Sequence, residues 1–284
     1  MLKIFPALLV SLVLTTQATA ETFKFTAIPD QDSSTLVERF SKVAEYLSKA
    51  LSIGVEYVPV SSYQESVDAF HENRVQMAWF GGLSGVRARL LVPGSQAIAH
   101  GDKDGSFKTY FIANTSTGLK SSATFPKAIE KKSFTFGSAD STSGRLMPEF
   151  YIRENLQRSP EQVFAKVNFS GSHTRTIELV QSGEYDVGVV NFNVWNKMLA
   201  DGKIDTSKVS VIWETPTYPD YQWTVRGDVD ASWGGGFSVR LTKVLLNIKD
   251  PEIMGAFSRD HFIPVANIDY LPILETGFAI KVLP

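Results

Sequence analysis

Cysteine is absent from the 284 residues, which removes disulfides, Cys-ligated zinc, iron–sulfur clusters and thiol nucleophiles from consideration. Charge is scarce: 28 Lys and Arg against 30 Asp and Glu leave a net charge of −2, without the basic excess of a dedicated nucleic-acid binder. Neither GxGxxG, Walker A nor GxSxG is present, and the four histidines show no HExxH spacing. No metal or cofactor is therefore expected. No run of 18 apolar residues occurs, so no span of a bilayer is expected. A chain that is 43% hydrophobic and 20% charged is too apolar for disorder, and its length suits two modest domains.

The first twenty residues read as a secretory signal peptide. Lys3 supplies the positive start, Ile4 to Leu14 is apolar apart from Pro6 and Ser11, and Ala18-Thr19-Ala20 is an A-x-A cleavage site. The apolar run stops at Thr15-Thr16-Gln17, short of the roughly 20 residues of a membrane anchor. Cleavage removes Lys3 and leaves 27 basic against 30 acidic residues, a charge of −3. Without a cysteine the product cannot be acylated there, so a free protein outside the inner membrane is expected.

In the remainder, short apolar runs alternate with helical spacings, the pattern of β-α-β units in an α/β fold. The runs at 23–28, 55–60 and 77–80 are separated by helices over about 33–47 and 62–71. The chain also resembles itself at an offset of 110 residues. The stretch from Ser62-Tyr63 to Phe80 aligns without a gap on that from Ser172-His173 to Val190, pairing Val67 with Ile177, Phe70 with Val180 and Met77 with Val187. Two similar lobes follow, with Tyr63 and His173 equivalent at the first turn of a helix beyond a strand's C-terminal end, where ligands of open α/β sheets collect. The composition shift at Ser116-Thr117-Gly118 and the Pro-rich path near Tyr218 divide the chain into lobe 1 at 21–115 and 222–284 and lobe 2 at 116–221. Two crossings between lobes imply a hinged cleft, a favoured place for a site.

Three segments carry chemistry. Gly137-Ser138-Ala139-Asp140-Ser141-Thr142-Ser143-Gly144 follows a strand and precedes a helix, where unpaired N–H groups and the hydroxyls of Ser141, Thr142 and Ser143 would hold an anion without lysine. Pro148 lies too deep for a helix that starts at Ser143, so the regular helix is expected to begin later. In Gly171-Ser172-His173 the imidazole is placed to donate to an oxyanion, or to cap the helix. Trp213 to Trp223 holds four aromatics and two prolines, and offers rings such as Tyr221 to line a cleft and Asp220 to accept from a protonated oxyanion, with hinge packing the competing role. Trp79-Phe80-Gly81-Gly82-Leu83-Ser84 has the same character of a rim. A hydrolase using Ser141 or Ser143 with His173 as base lacks a nucleophile elbow and an orienting acid.

On Ala78 to Ser84, Phe136 to Gly144, Ser172-His173 and Trp213 to Arg226, taken in that order, the chain resembles the periplasmic phosphonate- and phosphite-binding proteins of ABC importers, the PhnD-like branch. The resemblance implies a two-lobed type II periplasmic binding protein fold, each lobe a mixed sheet flanked by helices. It further implies a protein that closes on an oxyanion held by Ser141, Thr142, Ser143 and His173, with Tyr63 reaching from the other lobe, and that delivers it to a membrane permease; with no oligomerisation signature in the sequence, a monomer is expected. Aminoalkylphosphonate binders of this family place acidic groups around the substrate amine, and Asn193 stands at such a position here. Phosphite or a small phosphonate is accordingly expected rather than 2-aminoethylphosphonate, with a selenate-type oxyanion as the alternative.

Overall fold

The computed structural model describes residues 21–284; the signal peptide expected at 1–20 lies outside the described residues. Eleven strands form two mixed sheets among these residues: β1 (Phe23–Ala27), β2 (Val55–Tyr57), β3 (Met77–Phe80), β4 (Gln96–Gly101), β5 (Thr109–Asn114), β6 (Ser133–Phe136), β7 (Lys166–Phe169), β8 (Val187–Asn191), β9 (Val209–Glu214), β10 (Gln222–Val225) and β11 (Phe262–Pro264). The first sheet has the order β11-β4-β10-β3-β1-β2 and the second β7-β6-β8-β5-β9. Each is a lobe with a parallel trio, β2-β1-β3 and β7-β6-β8, followed by an antiparallel strand that arrives from the other lobe, β10 in the first and β5 in the second.

That symmetry corrects the expected boundary at residue 115. Thr109–Asn114 pairs with β8 and β9, so the first crossing runs through residues 102–108, before β5 rather than after it. Phe111 and Ile112 enter hydrophobic clusters on opposite faces of the second sheet, as strand alternation requires.

The helices that matter for the site are α1 (Ser33–Leu51), α2 (Tyr63–His71), α3 (Gly82–Leu91), α4 (Met147–Leu156), α5 (Pro160–Val163), α6 (His173–Gln181) and α7 (Phe192–Ala200). In α1 the expected stripe of Leu36, Phe40, Val43, Ala44 and Leu47 is buried. The 110-residue repeat reappears in three dimensions. Both α2 and α6 have nine residues and are capped by a serine, Ser62 or Ser172, whose hydroxyl accepts from the third N–H of its helix at 3.0 and 3.2 Å. Each helix then leads into a fully buried strand, β3 or β8.

Candidate functional site

The glycine-hydroxyl segment after β6 forms a closed loop. Gly137 donates its N–H to the Gly144 carbonyl at 2.9 Å, and Ser141 Oγ accepts from Gly144 N–H at 2.9 Å. A Cβ on Gly144 would sit 2.9 Å from Ser141 Oγ and 3.2 Å from the Gly137 Cα, which accounts for the glycine. The chain next makes one wide π-type turn, Thr142–Leu146, and regular α4 begins only at Met147, with Pro148 in its first turn. The later helix start anticipated from Pro148 is what occurs. The N–H groups of Thr142 and Ser143 open this turn and have no acceptor within it.

Around the loop stand residues from both lobes and one crossing, all buried: Tyr63, Ser141, Thr142, Ser143, His173, Asp220 and Tyr221. Burial raises the Tyr63 phenol well above its ordinary pKa, keeping it a neutral donor beside Ser141. Thr142 Oγ1 accepts from Leu83 N–H at 2.9 Å, and the Thr142 and Ser143 hydroxyls lie near enough to Asp220 to favour its charged form. Gly81 and Gly82 permit this close approach. A Cβ on Gly81 would lie 3.1 Å from Asp220 Oδ1, and one on Gly82 3.1 Å from the Pro219 carbonyl.

His173 is contacted at both ring nitrogens. Its Nδ1 accepts from Asn191 N–H at 3.3 Å, which leaves the proton on Nε2, 3.4 Å from Ser143 Oγ. Burial lowers its pKa to about 4. The ring is a neutral donor through Nε2–H, with no carboxylate orienting it, the reverse of what a base activating Ser143 requires.

Asp220 is the acidic counterpart. Its Oδ1 accepts from Gly82 N–H at 2.9 Å, while Oδ2 is buried and no protein group bonds to it. Burial raises the carboxyl to about 7, against the lowering effect of the Gly82 and Thr142 hydrogen bonds. Tyr221 uses both roles of its hydroxyl elsewhere, donating to Asp30 Oδ2 at 2.7 Å and accepting from Asn191 Nδ2 at 2.9 Å. What remains of it is a ring, stacked on Trp79 with centroids 5.6 Å apart.

One expected site residue is placed differently. Phe80 points into the core, edge-on to Phe70 at 5.5 Å, because strand alternation turns it away from the face that Trp79 occupies. Asn193 lines a crevice next to the hydroxyl loop together with Asp30, Arg39, Trp79, Lys197, Tyr221 and Arg259. Sequence reasoning passed over Asp30, Asn191 and Tyr218. Asn191 ends β8 and Asp30 lies three residues beyond β1, so the rule that ligands gather at carboxyl ends of parallel strands points to them. Tyr218, which meets Thr109 and Ser143, carries no such signal.

Two mixed sheets joined by two crossings, with buried hydroxyls, a neutral histidine and an unpartnered carboxyl oxygen between them, define a two-lobed solute-binding protein. Comparison with known proteins gives the particular family. The model for the periplasmic substrate-binding protein of phosphonate ABC transporters matches residues 25–270, and the chain belongs to that family. It is 39% identical over 261 residues, 89% of this chain and 88% of the other, to a probable ABC transporter phosphite binding protein, PhnD1, of Prochlorococcus marinus strain MIT 9301. The structure of PhnD1 from that organism in complex with methylphosphonate superposes with a TM-score of 0.88 at 38% identity, covering 92% of this chain and 99% of that one. A binding protein component of an ABC phosphonate transporter from Pseudomonas aeruginosa shares the fold, with a TM-score of 0.80 at 17% identity over 93% and 87% of the two chains.

Proposed function

We propose that this protein is a periplasmic receptor for phosphite or a small phosphonate such as methylphosphonate, captured between the lobes and handed unaltered to an inner-membrane permease. The observation that carries the reading is Asp220 Oδ2, a buried acceptor without a partner beside a ring of donors. The Ser141 and Ser143 hydroxyls, the N–H groups of Thr142 and Ser143, Tyr63 OH and His173 Nε2–H supply bonds to the unprotonated oxygens, and Asp220 accepts from the one P–OH. Thr142 contributes its backbone N–H and, since Oγ1 accepts from Leu83 N–H, an O–H donor. The Trp79 and Tyr221 rings form a wall suited to a P–H or methyl substituent. An ammonium is disfavoured, since the crevice holding Asn193 is lined by Arg39, Lys197 and Arg259, with Asp30 the one acidic group.

The molecule acts as a monomer, reaches the periplasm after cleavage following Ala20, and performs no chemistry on its ligand. Lobe 1 then spans 21–101 and 222–284, and the lobes close by hinge motion at the crossings. Titration calorimetry at pH 7 with phosphite, methylphosphonate, 2-aminoethylphosphonate, phosphate, sulfate and selenate tests the reading. Tightest binding of phosphite or methylphosphonate, without product, supports it. Preference for selenate, which has no proton for Asp220 at this pH, would refute it.

A further inference from the structure

The apex of the anion-binding loop, Asp140, is gripped from the opposite lobe. Its carboxylate pairs with Arg87 of α3, a contact in which both side chains are about four-fifths buried, at 22% and 18% exposure. The Asp140 carbonyl accepts from Ser84 Oγ, one turn earlier on the same helix, at 3.0 Å. Arg87 is braced from behind, donating through Nη2 to the Val282 carbonyl of the C-terminal tail at 2.9 Å. The other charged group near Arg87 is Arg145, which is occupied by Glu149.

We propose that Arg87 and Asp140 form an interlobe latch, with Arg87 a positioning residue for the oxyanion loop. Arg87 belongs to the lobe of the first sheet and Asp140 to the segment following β6 in the second, so the pair exists only while the lobes are closed. Its partner residue lies one position from Ser141, so closing the latch fixes the apex of the loop that supplies the Thr142 and Ser143 N–H groups. Ligand binding and latch closure are then linked equilibria, each favouring the other. The inference rests on the oxyanion reading of the cleft.

Arg87→Met, Asp140→Asn and the double variant test it, with methylphosphonate and phosphite as probes in stopped-flow binding and thermal melting. Asp140→Asn keeps the backbone carbonyl and the Ser84 contact. Each single variant is expected to dissociate its ligand about five- to tenfold faster with association nearly unchanged, and the double variant no faster than the singles. The melting temperature without ligand should stay at the wild-type value while the ligand-induced rise shrinks. Additive single effects, dissociation within twofold of wild type, or an equal loss of stability without ligand would each overturn the latch. Wild-type protein that binds neither probe overturns the oxyanion reading, and the latch with it. Wild-type binding with unaffected variants overturns the latch alone.

Discussion

Asp220 and His173 are both fully buried, and their pKa values move in opposite directions from 3.8 and 6.5, to about 7 and about 4. Between these limits the folded protein holds a proton on Asp220 that the unfolded chain releases, so that group's contribution falls as pH rises from about 4 to 7. The unfolded chain holds a proton on His173 that the folded protein excludes, so that contribution rises with pH from about 4 to 6.5. Each slope is about 1.4 kcal/mol per pH unit, and they nearly cancel. Urea unfolding of ligand-free His173→Gln should therefore show stability declining from pH 4.5 to 6.5, and Asp220→Asn stability increasing over the same range. Parallel curves for the two variants would refute the assignment. With ligand the same carboxyl predicts that one proton is shared between Asp220 and the anion. Above about pH 7 that proton must be taken from solvent, so affinity for methylphosphonate falls by up to about tenfold per pH unit. Asp220→Asn, a permanent donor, flattens the profile in calorimetry between pH 6 and 9, and an unchanged slope would count against a shared proton.

At the scale of the element, the anion loop depends on the contact of Gly137 with Gly144. Gly144→Ala places a methyl group against Ser141 Oγ and Gly137, displacing the hydroxyl that caps the wide turn. A destabilisation of about 1–3 kcal/mol is expected, as for other overpacked sites, with weaker phosphite binding in calorimetry. Wild-type affinity and stability would show the loop to be more pliable than this packing implies. The loop was legible in the sequence because a strand, two glycines, three hydroxyl residues and a misplaced proline are each local signals. Phe80 was misassigned because the run Trp79-Phe80 shows that a strand is buried on both faces without showing which face meets the cleft. Asn193 was expected by analogy with a family position, and the course of α7 after Asn191 sets it in the crevice beside Arg39 and Tyr221.

For the whole molecule, the two-lobed plan was readable from the 110-residue repeat because it preserves helix length, capping serine and buried strand, all local properties. The position of the first crossing was not, since β5 has the same composition wherever it pairs, and only the antiparallel β8 and β9 partners assign it to the second sheet. The assembled cleft is tied by polar contacts between lobes: His173 N–H to the Asp30 carbonyl at 3.2 Å, Leu83 N–H to Thr142 Oγ1 at 2.9 Å, and Ser84 to Asp140. These few bonds are exposed to water when the lobes part, so their net contribution is small and ligand is needed to hold closure. Adding phosphite at 100 times its Kd should stabilise the protein by about 2.7 kcal/mol, a rise in Tm of about 5–10 °C for a chain of this size. Solution scattering should show the radius of gyration contracting toward about 18 Å, the value for a compact chain of this length. A thermal shift without contraction would mean that the lobes stand closed before the anion arrives, and that selectivity lies in the loop alone.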